Sequence, residues 1–71
     1  MIFKLYVDGS IVDETIMKSI NHSCTIKNIY RDSDFMIFDL ICAFEIDRKM
    51  LMKSINAKPF HSETDIIIRV G

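Results

Sequence analysis

Apolar and polar positions alternate from Ile2 to Val7, which predicts a strand with Phe3, Leu5 and Val7 on one face and Ile2, Lys4 and Tyr6 on the other. Asp8-Gly9-Ser10 reads as a turn, with Ser10 or Asp13 available as the N-cap of a helix. The period then lengthens. Val12, Ile16 and Ile20 fall four apart with Met17 beside them, which describes one face of a helix reaching His22. Thr25 to Arg31 is rich in β-formers, and Asp32-Ser33-Asp34 is a turn cluster. Phe35 to Phe44 is almost wholly apolar, as a central strand requires. Asp47 can cap a second helix with Leu51 and Ile55 on its inner face, and Pro59 bars that helix from passing Lys58. Thr64 to Val70, containing Ile66-Ile67-Ile68, is expected to close the chain as a strand.

The pentapeptide MKSIN occurs at Met17 to Asn21 and again at Met52 to Asn56. Displacing the chain by 35 aligns residues 1–21 with 36–56 without a gap and gives 10 identities in 21 positions, so an internal duplication is expected, with half repeats of about 1–35 and 36–71. Each half is a β-α-β unit. Two such units interleave into a ferredoxin-like βαββαβ domain spanning residues 1–71, an α+β fold. Its four-stranded antiparallel sheet has strand order 4-1-3-2, and both helices lie on one face. MKSIN then marks the end of each helix, with Met and Ile inward, Lys and Ser outward and Asn near the C-cap.

A chain of 71 residues with 49% hydrophobic and 27% charged residues suits one small globular core, of modest stability or aided by association. Thirteen Ile against two Ala is a composition expected of an AT-rich genome, such as that of a bacterium or phage. No apolar run approaches the ~18 residues of a membrane span, and the start is too short and too interrupted by Lys4 for a signal peptide. The expected location is therefore the cytoplasm. Two cysteines, not spaced as C-x-x-C, are too few for a secreted disulfide scaffold. A hairpin turning about Ser33 sets Cys24 opposite Cys42, and both are expected as buried thiols on the helix side of the sheet.

The chemistry excluded is extensive. With two glycines, one of them terminal, there is no phosphate loop. His22 lies beside Ser23 and Cys24, but neighbours in sequence point their side chains apart, and His61 follows Pro59 in a loop. Metal binding needs three or four converging ligands, which His22-Ser23-Cys24 does not supply. Asp13-Glu14 and Asp32/Asp34 stand where helix starts and turns attract acids. No catalytic residue, metal ligand or cofactor is expected, and the protein is not expected to be an enzyme.

"VDGS" at Val7 to Ser10 and "MLMKSINAKPF" resemble the heavy-metal-associated domain of copper chaperones. That family takes its metal from two cysteines in the first loop and helix start, where this chain has Val12 and Thr15, so the resemblance implies the fold and not the activity. "KLYV" at Lys4 to Val7 is similar to the first-strand signature of the RNA-recognition motif, which would set Tyr6 on the open face to stack a base. "DFMIFDLICAF" departs from that family's third-strand signature, and a net charge of −1 argues against nucleic acid.

The face of the sheet away from the helices is then expected to present Ile2, Lys4, Tyr6, Ile37, Asp39, Ile41, Ile67 and Arg69. Apolar residues rimmed by a few charges describe an interface. The expected function is a small non-catalytic interaction module of regulator or inhibitor type, acting through this face as a homodimer or with a protein partner and with no membrane role. The alternative is a domain that senses a small molecule, and RNA or single-stranded DNA binding ranks below both. In the hairpin register, Lys27 faces Asp39, with Lys4 reaching Asp39 from the neighbouring strand.

Overall fold

A computed structural model describes residues 1–62 and 64–69. In chain order the elements are β1 (Ile2–Asp8), a 3-10 turn (Gly9–Ile11), α1 (Glu14–Ser23), β2 (Thr25–Asp32), β3 (Phe35–Ile41), α2 (Glu45–Ile55), β4 (Lys58–Pro59) and β5 (Ile66–Ile68). The architecture is α+β: two helices and a five-stranded mixed sheet of order β2-β3-β1-β5-β4.

The expected four-stranded antiparallel sheet is corrected at its C-terminal end. β5 lies beside β1, where the last strand was expected, but runs parallel to it. The cause is the short strand inserted before it. After α2 the chain runs along the sheet edge for only Lys58 and Pro59 and then reverses, the Phe60 N–H donating to the Asp65 carbonyl at 2.8 Å. Pro59 has no N–H and suits an edge, whereas three consecutive isoleucines suit a strand covered on both faces. Ile66, Ile67 and Ile68 are all buried. The expected strand limit at Val70 lies outside the described residues.

Helix boundaries follow their caps. Asp13 Oδ1 accepts from the Ile16 N–H at 2.9 Å and starts α1, so Val12 stands before the helix rather than on its face. α2 begins earlier than its expected cap: Phe44 is the N-cap, and Asp47, three residues on, reaches back to accept from the Phe44 N–H at 3.1 Å. The two MKSIN segments end differently. Asn56 is the left-handed C-cap of α2 with φ 55°, a conformation that Asn tolerates. Asn21 lies within α1, which continues to Ser23 and is capped by Cys24.

Phe3, Leu5 and Val7 of β1, Phe38 and Leu40 of β3, and Ile66 and Ile68 of β5 form the core with Ile20, Leu51 and Ile55 from the helices. Ile16, Met17 and Met52 pack partly buried against it. Cys24 and Cys42 are in this core on the expected face and opposite each other, but they are joined as a disulfide with Cα atoms 4.7 Å apart. The expectation of free thiols is thereby corrected, and the cytoplasmic expectation loses that support. At the same end, Cys42 N–H and the Met1 carbonyl, and the Met1 amino group and the Cys42 carbonyl, each bond at 2.9 Å. The β1–β3 ladder thus runs on to the cross-link. At the opposite end, the Gly9 N–H donates to the Asp34 carbonyl at 2.7 Å, and a Cβ on Gly9 would stand 3.1 Å from that oxygen. A larger residue would need the Asp34 carbonyl to give way by a few tenths of an ångström, so glycine eases this approach of the chain to the hairpin tip.

Candidate interaction surface

The side of the sheet opposite the helices carries the even-numbered residues of β1 and the odd-numbered residues of β3. The register sets Ile2 opposite Ile41, Lys4 opposite Asp39 and Tyr6 opposite Ile37, and Tyr6 also pairs with Ile67. Seven of the eight expected residues are therefore brought together, while Arg69 stands exposed just beyond the end of β5. They are not equally available. Ile2 is 64% exposed, Lys4, Tyr6, Asp39 and Ile41 are half-buried, and Ile37 and Ile67 are buried at 3% and 8%.

The burial of Ile37 and Ile67 accompanies an aromatic layer beyond the sheet. Tyr6 makes edge-to-face contacts with Phe35 (ring centroids 6.4 Å), Phe60 (4.9 Å) and His61 (5.3 Å). Phe60 and His61 belong to the turn between β4 and β5, which brings them to this side of Tyr6. Burial pushes the Tyr6 phenol up, and the negative charge of Asp65 pushes it further in the same direction.

At the centre of the face, Lys4 Nζ donates to Asp39 Oδ1 and to the Tyr30 hydroxyl, both at 2.7 Å. The ammonium also lies 5.2 Å from the Tyr30 ring centroid. The hydrogen bond to Asp39, and then that to Tyr30, hold the Lys4 ammonium above its ordinary pKa. The Lys4 backbone N–H is bonded to Asp65 Oδ1 at 3.3 Å, so a carboxylate continues the β1–β5 pairing where that strand begins.

Lys27 does not face Asp39, which corrects the expected double cation. The pairing shifts by one residue between Ile26 and Asn28, so Lys27 sits in a bulge and Asn28 stands opposite Asp39. The shift arises from the turn. Ser33 and Asp34 form a two-residue connection closed by Asp32 and Phe35, one residue tighter than a turn centred on Ser33. The bulge restores the expected register at Thr25 and Ile41, and hence at the cysteines. Tyr30, Phe60, His61 and Asp65 were missed as parts of this face. A two-residue turn in Asp32-Ser33-Asp34 would have placed Tyr30 opposite Ile37; nothing local in the sequence marks Phe60 and His61.

Ile2, Lys4, Lys27, Asn28, Asp39 and Asp65 border an open groove of about 540 Å³. Among the described residues no group of three or more His, Cys, Asp or Glu side chains could hold a metal ion. No helix among them is long and apolar enough to cross a membrane. Comparison of the chain with protein-family models, curated proteins and solved structures finds no match.

Proposed function

We propose that the protein is a small non-catalytic interaction module whose helix-free sheet face is covered by a second protein surface, either a partner or another copy. The observation that carries this reading is the arrangement of exposed Ile2 and half-buried Ile41 beside the bonded trio Lys4, Asp39 and Tyr30: accessible apolar surface next to a geometrically fixed charged centre. Ile37 and Ile67 support the face from within. Tyr6 and Ile41 are the rigid and apolar anchors that supply most of the association energy, and Lys4 and Asp39 discriminate between partners through charge geometry. A regulator or inhibitor role suits this design, and the ferredoxin-like ancestry suggested by the repeat remains part of the same proposal.

The Cys24–Cys42 cross-link favours oxidising surroundings as the place of action, since disulfides persist there and are rare in a reducing cytosol. The second reading is small-molecule sensing, and the mixed-charge groove beside Lys4 and Asp39 favours it.

The test replaces Ile41 with Lys and follows mass in solution, thermal stability and native activity. A folded variant that loses assembly or activity supports the reading. A folded variant with both unchanged overturns it. Assembly that appears only on adding metabolites moves the assignment to sensing.

A further inference from the structure

The two edges of the sheet are built differently. β4 is two residues long and contains Pro59, which offers no N–H to a neighbour. β2 is eight residues long and, among the described residues, pairs with β3 alone. Its middle exposes apolar side chains on both faces, Ile29 (41%) on the helix side and Tyr30 (37%) on the open side.

Backbone polarity along β2 follows from the turn. In a two-residue hairpin the flanking pair, Asp32 and Phe35, exchanges both hydrogen bonds, as do Tyr30 with Ile37 and Asn28 with Asp39. Ile29 and Arg31 therefore aim their N–H and C=O groups away from β3. The Ile29 N–H bears this out: it donates to Asn28 Oδ1 at 3.0 Å, a local side-chain partner in place of a strand.

We propose that β2 pairs antiparallel with β2 of a second copy, with Tyr30 at the two-fold axis. Facing residues must lie on the same side of the sheet, which leaves few registers. Centring on Ile29 sets Arg31, on the helix side, against Lys27, which the bulge places beside Asn28 on the open side, so the facing side chains do not share a face. Centring on Arg31 sets Arg31 against itself, and like charges directly opposite are destabilising. Centring on Tyr30 sets Ile29 opposite Arg31, where the outward backbone groups of each meet. It also sets Asn28 opposite Asp32, an amide donor against a carboxylate. The Asn28 side chain then exchanges its bond to the Ile29 N–H for one to Asp32 of the second copy. The joined sheet has ten strands and places the two Lys4–Asp39–Tyr30 centres on one continuous face. This dimer does not rest on the function proposed above, because it uses the edge and not the face.

The experiment measures mass against concentration and cross-linking through single cysteines, with helical circular dichroism confirming the fold of each variant. Wild-type protein is expected at twice the 8.3 kDa protomer mass at high concentration. Tyr30→Cys is expected to form a covalent dimer on mild oxidation, because a non-hydrogen-bonded pair at the axis brings Cα atoms to about 4.5 Å. Ile29→Cys is not, since the two Ile29 positions stand beyond the ~7 Å limit for a disulfide. Ile29→Lys sets a cation against Arg31 and is expected to weaken association at least about tenfold; adding Arg31→Glu restores it. Ile41→Lys leaves this dimer intact, which separates failure here from failure of the face. A mass that stays at 8.3 kDa up to about 1 mM overturns the proposal, as do equal cross-linking through Ile29→Cys and an Ile29→Lys variant that assembles normally.

Discussion

Tyr30 and Lys4 lie on strands that are not neighbours in the sheet, yet their side chains meet above the strand between them, the ammonium donating to the hydroxyl at 2.7 Å. Asp39, on that intervening strand, accepts from the same nitrogen at 2.7 Å. Three strands are thus tied by one cation on the face away from the core. The Lys4 side chain is 40% exposed, so solvent and salt weaken the tie, and its consequence is local geometry more than stability.

The alkaline limb of stability follows from this centre and its neighbour. The folded-state pKa values of Lys4 and of the Tyr6 phenol are both raised above their ordinary values of 10.5 and 10.0. A group raised in this way contributes stability that is fully present below its unfolded pKa and is lost as pH rises through its folded value. Stability should therefore show no contribution from either group's titration until pH passes about 10, and fall above it. In Tyr30→Phe the single remaining phenol should titrate above 10.0 in the folded protein by ultraviolet absorbance. The Lys4 side-chain resonances should move their midpoint downward in that variant, since one of the two bonds holding the charge is gone. An unmoved Lys4 midpoint would contradict the geometry.

The legible parts of the structure are those governed by local periodicity. Alternation in Ile2 to Val7 and the spacing of Ile16 and Ile20 assigned each face, because a one-residue error would put Phe3 or Ile20 in water. That Cys24 stands opposite Cys42 was also legible, though not their cross-link, and through two compensating departures: a turn one residue tighter than expected and a bulge at Lys27. The direction of β5 was not. Ile66-Ile67-Ile68 reads identically in either direction, and only the two-residue excursion at Lys58–Pro59 reverses it. The same excursion brings Phe60 and His61 beside Tyr6, a contact between distant segments that no local pattern encodes.

The disulfide should be a major part of the stability of so small a chain. It closes a separation of 18 residues, and loops of this size contribute about 3 kcal/mol through restriction of the unfolded chain. Cys24→Ala/Cys42→Ala should lose about that much in a denaturant titration, and wild-type protein in excess reductant should lose a similar amount. Denatured protein without reductant should show no free thiol. Titration of both thiols would restore the expectation drawn from the sequence.

Ser33 sits at the first central position of the β2–β3 turn with φ 53°, where a side chain is strained and glycine is not. Ser33→Gly should therefore raise stability by about 0.5–1 kcal/mol, the relief of strain exceeding the extra freedom of the unfolded chain. The same change at Asn56, φ 55°, should give a few tenths at most, because Asn tolerates this conformation. Equal gains at both sites would show that the Ser33 backbone is not strained.

Arg48 is the one buried charged residue among the described residues. It is 7% exposed on the inner side of α2, bordering a groove with Met52, Pro59 and Phe60, and its Nε is buried without a hydrogen-bond partner among the described residues. Its remaining contacts are weak: Nη1 to the Met52 sulfur at 3.3 Å, and Nη2 to Glu45 at 3.6 Å, a carboxylate that is itself 60% exposed. A buried guanidinium held in this way loses hydration without full compensation, whereas its methylene stem packs like a hydrophobic residue. Arg48→Met keeps the stem and removes the charge, and should raise stability by about 1–2 kcal/mol. Arg48→Ala removes both and leaves a cavity beneath Phe60, so it should lower stability by a similar amount. Denaturant titration of the pair separates packing from charge, and a destabilised Arg48→Met would show that the guanidinium itself holds the β4–β5 turn against α2.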